Sequence, residues 1–345
     1  MHQRHLRRTG NLLIIGAVFL ASETAAQRPA SHSTSAADSA VLARAFRRGS
    51  EIAPLNSLII SRDGRILGER YYRGMTASRA VNIKSASKSV LSALIGIAIV
   101  QNRLRLDQPI AELLPQYFQR EEDPRKRTIT VRNLLTMQAG LESTSFDNYG
   151  AWVNSRDWVR DAVRRPIVCE PGTCMLYSTG NSHLLSVILT RATGTDTRTF
   201  ANRHLFAPLQ TSIRPWTRDP QGFYLGGNEM HMTPRQLLGF GQLYLDRGVV
   251  NGKRILSEDW IHASWGEYAT SPWNGHRYGY HWWTRISGAH RVHFAWGYGG
   301  QFVFVVPSLR LVVVATSALQ SRRSGPHLDN VHSLLDDIVG GLSST

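Results

Sequence analysis

Apolar and polar positions fall into blocks along this chain, and the period of the blocks changes twice. The first clear block is Ser57-Leu58-Ile59-Ile60-Ser61-Arg62, followed by Asp63-Gly64 and then Arg65 to Tyr72. Two β-prone runs around Asp-Gly predict a hairpin. From Ser85 to Val100 the chain is apolar nearly all round, through Val90, Leu91, Leu94, Ile95, Ile97, Ala98 and Ile99. A helix without a polar face is buried on every side. Ile129 to Thr136 predicts a capped helix ending near Gly140, and a further helix is predicted from about Asn181 to Thr193, stopped by Gly194. Thr233-Pro234 supplies an N-cap and a first-turn proline for a helix that Gly248 closes. The pattern then returns to strands. Tyr278 to Arg285 is aromatic and β-prone, and the apolar runs 301–306 and 311–316 are joined by Pro307-Ser308-Leu309-Arg310 as a hairpin. Leu328, Val331, Leu335 and Ile338 mark a last helix.

Strands at both ends and helices between them predict an α/β (α+β) fold. One antiparallel sheet is built from both chain ends, flanked by helices, with a helical region inserted. Residues 45–345 read as one domain, with a sheet part at about 45–80 and 270–345 and a helical part at about 81–269. Residues 27–44, whose first part is polar and rich in Ser and Ala, read as a disordered linker. Residues 1–26 read as a signal peptide. Arg4, Arg7 and Arg8 give a basic start, Leu12 to Ala21 an apolar run of ten residues, and Thr24-Ala25-Ala26 a small-residue cleavage site. That run is too short to span a bilayer, and no cysteine lies beside it to carry a lipid. The expectation is a secreted or periplasmic protein with no stable membrane anchor.

Composition narrows the function classes. With 345 residues, 42% hydrophobic and 19% charged, the chain is ordinary globular material. Its net charge of +15 and pI of about 10.5 bring a polyanion partner into consideration. Only four of the 40 basic residues are lysines, and the densest cluster is Arg125-Lys126-Arg127. Charge spread so evenly reads as a solvated surface, so no nucleic-acid partner is expected. Cys169 and Cys174 flank Glu170-Pro171-Gly172-Thr173, a tight turn that brings the sulfurs near each other. In an oxidising compartment they predict a disulfide that stiffens the segment containing Tyr177, with two unpaired thiols as the alternative. They are too few and too close for a zinc site. His290-Arg291-Val292-His293 lies in a predicted hairpin and reads as packing. With no Gly-x-Ser-x-Gly, His-Glu-x-x-His, P-loop or dinucleotide fingerprint, neither metal nor cofactor is expected.

Three segments could carry chemistry. Ser85 and Lys88 share one face at a helix start, where a lysine with its pKa lowered by burial could take the serine proton. Tyr177 sits on the loop before the 181–193 helix and could relay protons. Ala295-Trp296-Gly297-Tyr298-Gly299-Gly300-Gln301 precedes an apolar strand, where glycines let a ligand approach backbone amides. Taken singly, each has a plainer reading: a surface Ser–Lys pair, a packed aromatic, a glycine-rich turn. The lysine, however, lies at the head of the most apolar helix, where an idle cation is costly.

In this order the three segments resemble the serine β-lactamase and penicillin-binding-protein superfamily, in its class C-like branch with esterases and 6-aminohexanoate-dimer hydrolases. The intervening stretches 129–141, 232–248, 251–260 and 278–283 are similar too, and the resemblance covers about residues 45–340. It implies that Ser85 is the acylated nucleophile, that Lys88 is its base, and that Tyr177 shares that role. It also implies that the amides of Ser85 and Tyr298 hold the oxyanion. Two departures stand out. Where the family's second motif often reads Tyr-x-Asn, Thr179 holds the third place and Asn181 comes two residues later. Where the third motif usually starts with Lys or His, then Thr or Ser, this chain has Ala295, Trp296 and Gly297. Ala and Trp cannot make the charge-assisted bond that holds a substrate carboxylate, unless nearby arginines replace it. The expected substrate is therefore a small ester, amide or peptide with apolar surface, rather than a true β-lactam. The alternative is a catalytically silent cell-wall peptide or penicillin-binding protein on the same fold.

Overall fold

The structure, a computed structural model, describes residues 36–319 and 325–343. The signal-peptide reading of residues 1–26 lies outside them. The described residues form one compact unit.

Eight strands make the main sheet: β1 (Leu55–Arg62), β2 (Arg65–Tyr71), β3 (Ala269–Thr270), β4 (Arg277–Tyr278), β5 (Trp283–Ser287), β6 (His290–Gly297), β7 (Gln301–Val306) and β8 (Leu311–Ser317). Their order is β2-β1-β8-β7-β6-β5-β4-β3, and every pairing is antiparallel. The two chain ends meet at β1 and β8, where Ile59 lies opposite Val314. The predicted hairpin turns at Asp63 and Gly64, with φ of 51° and 75°. Two successive left-handed residues match the twist of the strands they join.

The central strands are apolar on both faces because both faces are covered. Val303, Val305, Val312 and Val314 face the helical side, while Phe302, Phe304, Leu311 and Val313 face the other. That second face is covered by α1 (Ala36–Glu51) and the C-terminal helix, which runs from Gly325 to Ser343. Residues 27–44 were expected to be a disordered linker, but from Ala36 onward they are helical. Val41, Leu42 and Ala45 supply the reason, since they form a stripe buried in the same core as Val331 and Leu335. On the helical side lie α2 (Ser87–Val100), α3 (Val131–Leu135), α4 (Thr179–Thr193) and α5 (Pro234–Leu245). The C-terminal helix is then α6.

Helix α2 packs among α4 and the strands and buries every residue from Ser87 to Ala98, as a helix without a polar face must. Gly241 lets α5 lie flat on the sheet, where an added Cβ would stand 2.7 Å from Val303 and Val312.

Three predicted boundaries shift. α3 stops at Leu135 rather than near Gly140, because Met137 takes a left-handed φ of 59°. α4 begins at Thr179, two residues early. Tyr278 to Arg285 is two strands joined by a turn, with Tyr278 opposite Trp283 and His281 at φ 60°.

Candidate active site

Ser85 sits in a single 3-10 turn, Lys84–Ala86, just before α2. The turn is anchored from both sides. Val81 and Asn82 pair with Met232 and His231, and the amide of Ile83 donates to the Met230 carbonyl at 2.9 Å. Lys84 adopts φ 50°, a conformation costly for a residue with a Cβ. It is held there by Asn82 Oδ1, which accepts from its amide at 2.9 Å, and by Glu229, which takes its ammonium at 2.6 Å. The left-handed residue turns Ser85 outward, half-buried, while α2 starts behind it.

One turn on, Lys88 is 1% exposed. Its Nζ reaches Ser85 Oγ and Thr179 Oγ1, both at 3.2 Å, and donates to the Gly227 carbonyl at 2.7 Å. Burial alone pulls its pKa from 10.5 to about 7. A neutral amine beside a hydroxyl is therefore well populated near neutrality. His281, also buried, is pushed down to about 3 by burial first and by Lys88 second, so it adds no charge.

Tyr177 comes from the loop before α4, and the Ser143 hydroxyl donates to its carbonyl at 2.6 Å. Upstream, Cys169 and Cys174 are joined as a disulfide. The Tyr177 ring stacks on Trp283 at 5.9 Å, and Lys88 Nζ lies 5.0 Å from its centre. Burial raises its pKa, and a hydrogen bond with Ser85 offsets part of that rise. The phenol is thus a proton donor at neutral pH, not a phenolate base.

Ser85, Tyr177, Trp296 and Tyr298 line one cavity of about 570 Å³. Gly297 does not line it. A Cβ there would stand 2.1 Å from the Ile83 carbonyl, so glycine lets β6 press against the turn that carries Ser85. Asn181 is not part of the site either. It is 2% exposed on α4, and its Nδ2 reaches Met137 Sδ at 4.0 Å. Thr179, which holds the third place of the tyrosine motif, does reach the site: its hydroxyl meets Lys88 Nζ and also Ser145 Oγ at 3.0 Å. Position within the motif was the signal for Thr179. Ser145, Phe146, Asn228 and Trp273 also line the cavity and carried no local signal.

The walls are strongly aromatic, with Phe146, Tyr149, Trp273, Trp283, Trp296 and Tyr298 around the serine. No arginine is among the described lining residues, and Lys84, the one cation there, is paired with Glu229. Ala295 is 1% exposed and packs into the core beneath β6. Away from the cavity, His290 bonds Ser308 and Ser343, each at 2.8 Å, and His293 bonds Thr284 at 2.8 Å. Among the described residues, no group of three or more His, Cys, Asp or Glu could hold a metal ion.

Comparison with known proteins places the chain in a family and a fold. The chain is 24% identical over 224 residues to a 6-aminohexanoate-dimer hydrolase of Paenarthrobacter ureafaciens, covering 60% of this chain and 56% of that one. It spans about half the length of the sequence relatives it matches. Among solved structures, EstCE1, a hydrolase with promiscuous acyltransferase activity, superposes with a TM-score of 0.74 at 18% identity, covering 88% of this chain and 100% of that one. D-amino acid amidase from Ochrobactrum anthropi SV3 gives 0.66 at 17% identity, covering 89% and 98%. Residues 42–335 match the family described as Beta-lactamase. With that match over most of its length, the chain belongs to the beta-lactamase family.

Proposed function

We propose that the protein cleaves uncharged esters or small amides through an acyl-enzyme on Ser85. The observation that carries this reading is the buried Lys88 amine, 3.2 Å from a half-buried serine hydroxyl at the wall of an open cavity. Neutral Lys88 accepts the Ser85 proton as Oγ attacks the carbonyl carbon. The amides of Ser85 and Tyr298 hold the oxyanion. When the tetrahedral intermediate collapses, Tyr177 gives its proton to the leaving group and is reprotonated by the Lys88 ammonium. Water then attacks the ester, and the same groups return the serine proton.

The cavity favours an apolar or aromatic acyl donor. Aromatic walls reward area and flat shape, while no unpaired cation among the described lining residues meets a carboxylate. This supports an esterase or amidase over a β-lactamase. The disulfide supports an oxidising, secreted or periplasmic setting. The loss of the third-motif cation also fits a silent binding protein, and turnover separates the two readings. A fluorophosphonate should label the protein, and peptide mass spectrometry should place the adduct on Ser85. No adduct, or an adduct elsewhere, rejects the assignment. A panel of aryl esters, linear amides and a chromogenic cephalosporin should show turnover of the first two classes ahead of the third.

Gly297→Ala should lower kcat/KM about 10²-fold, because β6 must move away from Ile83 and the serine turn loses its register with Tyr298. Near-native rates in this variant would mean that the close approach is not required.

A further inference from the structure

Lys88 makes its shortest hydrogen bond to a backbone carbonyl, that of Gly227, and something must hold that carbonyl in place. The segment is squeezed between two helices. A Cβ on Gly226 would stand 2.0 Å from the Ser182 carbonyl, and one on Gly227 would stand 2.6 Å from Lys88 Cγ. Squeezing sets the distance but not the rotation of the peptide planes.

The rotation is fixed from α4. His183 Nδ1 accepts from the Gly226 amide at 3.4 Å, so its proton is on Nε2, which meets Asp219 Oδ2 at 2.9 Å. Both side chains are fully buried, and Trp152 and Trp158 pack against the imidazole at 5.8 and 5.7 Å. Asp219 Oδ1 accepts from the amides of Gln221 and Phe223 at 2.9 and 2.8 Å, closing the turn that leads into Gly226. Nothing in the reaction described above uses this buried pair, and neither residue lines the cavity.

We infer that Asp219 and His183 are positioning residues, which orient the Gly226–Gly227 backbone so that its carbonyl holds the Lys88 amine against Ser85. This rests on the reading of Lys88 as the base. Besides that carbonyl, the groups facing Lys88 are Ser85, Thr179, the Tyr177 ring and neutral His281. The carbonyl is thus its firmest acceptor, and loosening it destabilises the ammonium and frees the amine to swing.

Asp219→Asn tests this with no change of shape. The asparagine oxygen must stay toward Gln221 and Phe223, so its amide group faces His183 Nε2–H. Two donors then oppose each other. If the imidazole proton moves to Nδ1 to relieve this, it confronts the Gly226 amide instead. Either way the link to the segment breaks. With only four lysines in the chain, the Lys88 side chain can be followed by ¹³Cε NMR titration, which needs no substrate.

The Lys88 midpoint should fall by roughly half a unit to one unit, as expected when a hydrogen bond to the charged form weakens. In parallel kcat should drop about tenfold with KM unchanged. If Asp219→Asn does not fold, the double variant Asp219→Asn/His183→Leu removes the carboxylate charge and the imidazole link together, without opposing two donors, and serves the same test. A folded variant with an unmoved midpoint overturns the inference, whether or not its rate falls, because a rate loss alone marks a merely structural pair. A shifted midpoint in a protein that hydrolyses nothing upholds the positioning and rejects the catalytic reading instead.

Discussion

Lys88→Ala is expected to lower kcat/KM about 10³-fold, and Ser85→Ala further still, with the fold intact in both. The reason is the position of one amine. Lys88 Nζ is within 3.2 Å of the serine oxygen, and burial lowers its pKa to about 7. The pH profile carries the same signature. Wild-type kcat/KM should climb about tenfold per unit below pH 7 and level off above it, as the ammonium gives up its proton. Tyr177 is held protonated above this window, and His281 at about 3 stays neutral through it. A flat profile between about pH 5.5 and 8.5 would remove Lys88 from the base role.

The same shift bears on stability. A lysine whose pKa is lower in the folded chain binds fewer protons there than when unfolded. Its penalty is therefore full below about pH 7 and disappears as pH rises toward 10.5. Near neutrality it is about 5 kcal/mol, and a side chain without the amine avoids it while leaving the Gly227 carbonyl without its partner, at a cost of about 1–3 kcal/mol. Lys88→Met should thus be dead as a catalyst yet more stable at pH 7 by about 2 kcal/mol. Urea denaturation at pH 7 and pH 10 checks this, and the gain should shrink at the higher pH. A variant that is both inactive and less stable would show that the amine is not held in a desolvated state.

Tyr177→Phe should reduce kcat by about 10²- to 10³-fold while the protein stays folded. Phenylalanine keeps the stacking on Trp283 at 5.9 Å and the edge contacts with Trp273 and Tyr278, each at 6.3 Å. Only the hydroxyl beside Ser85 is lost. Neutral Lys88 can still activate the serine, so acylation by an aryl ester with a good leaving group should persist. Deacylation, which needs the proton relay, should slow, and an initial burst of product should appear. Wild-type turnover in this variant would exclude the phenol from proton transfer.

Much of the fold was legible in the residues because its signals are local. Asp63-Gly64 specifies its own turn, Thr233-Pro234 its own helix start, and the all-round apolar run from Val90 to Ile99 can only be buried. Errors arose where distant contacts overrode local character. Ala36 to Glu51 looks too polar to fold by itself, and Val41, Leu42 and Ala45 become helical against partners some 290 residues away, such as Val331. Met137 ends α3 because its left-handed backbone brings its carbonyl to the Leu176 amide at 2.8 Å, a contact that helical periodicity does not encode.

The candidate site divides in the same way. Ser85, Lys88 and Tyr177 were readable because their spacing and order survive in one dimension. Whether Thr179 or Asn181 would face the serine was not readable, since two helical steps turn a side chain by about 200° and decide whether it meets Lys88 or the Met137 sulfur. The linear chain, then, determined the layout of strands and helices, the apolar helix with a lysine at its head, and the types of group available for acyl transfer. Folding alone decided that this lysine would be dry, and so neutral enough to act, and that its firmest partner would be a glycine carbonyl 139 residues away. It also decided that rings from five separate segments would wall the cavity. Desolvation and hydrogen-bond direction depend on atoms that are neighbours in space, and no pattern along a chain records them.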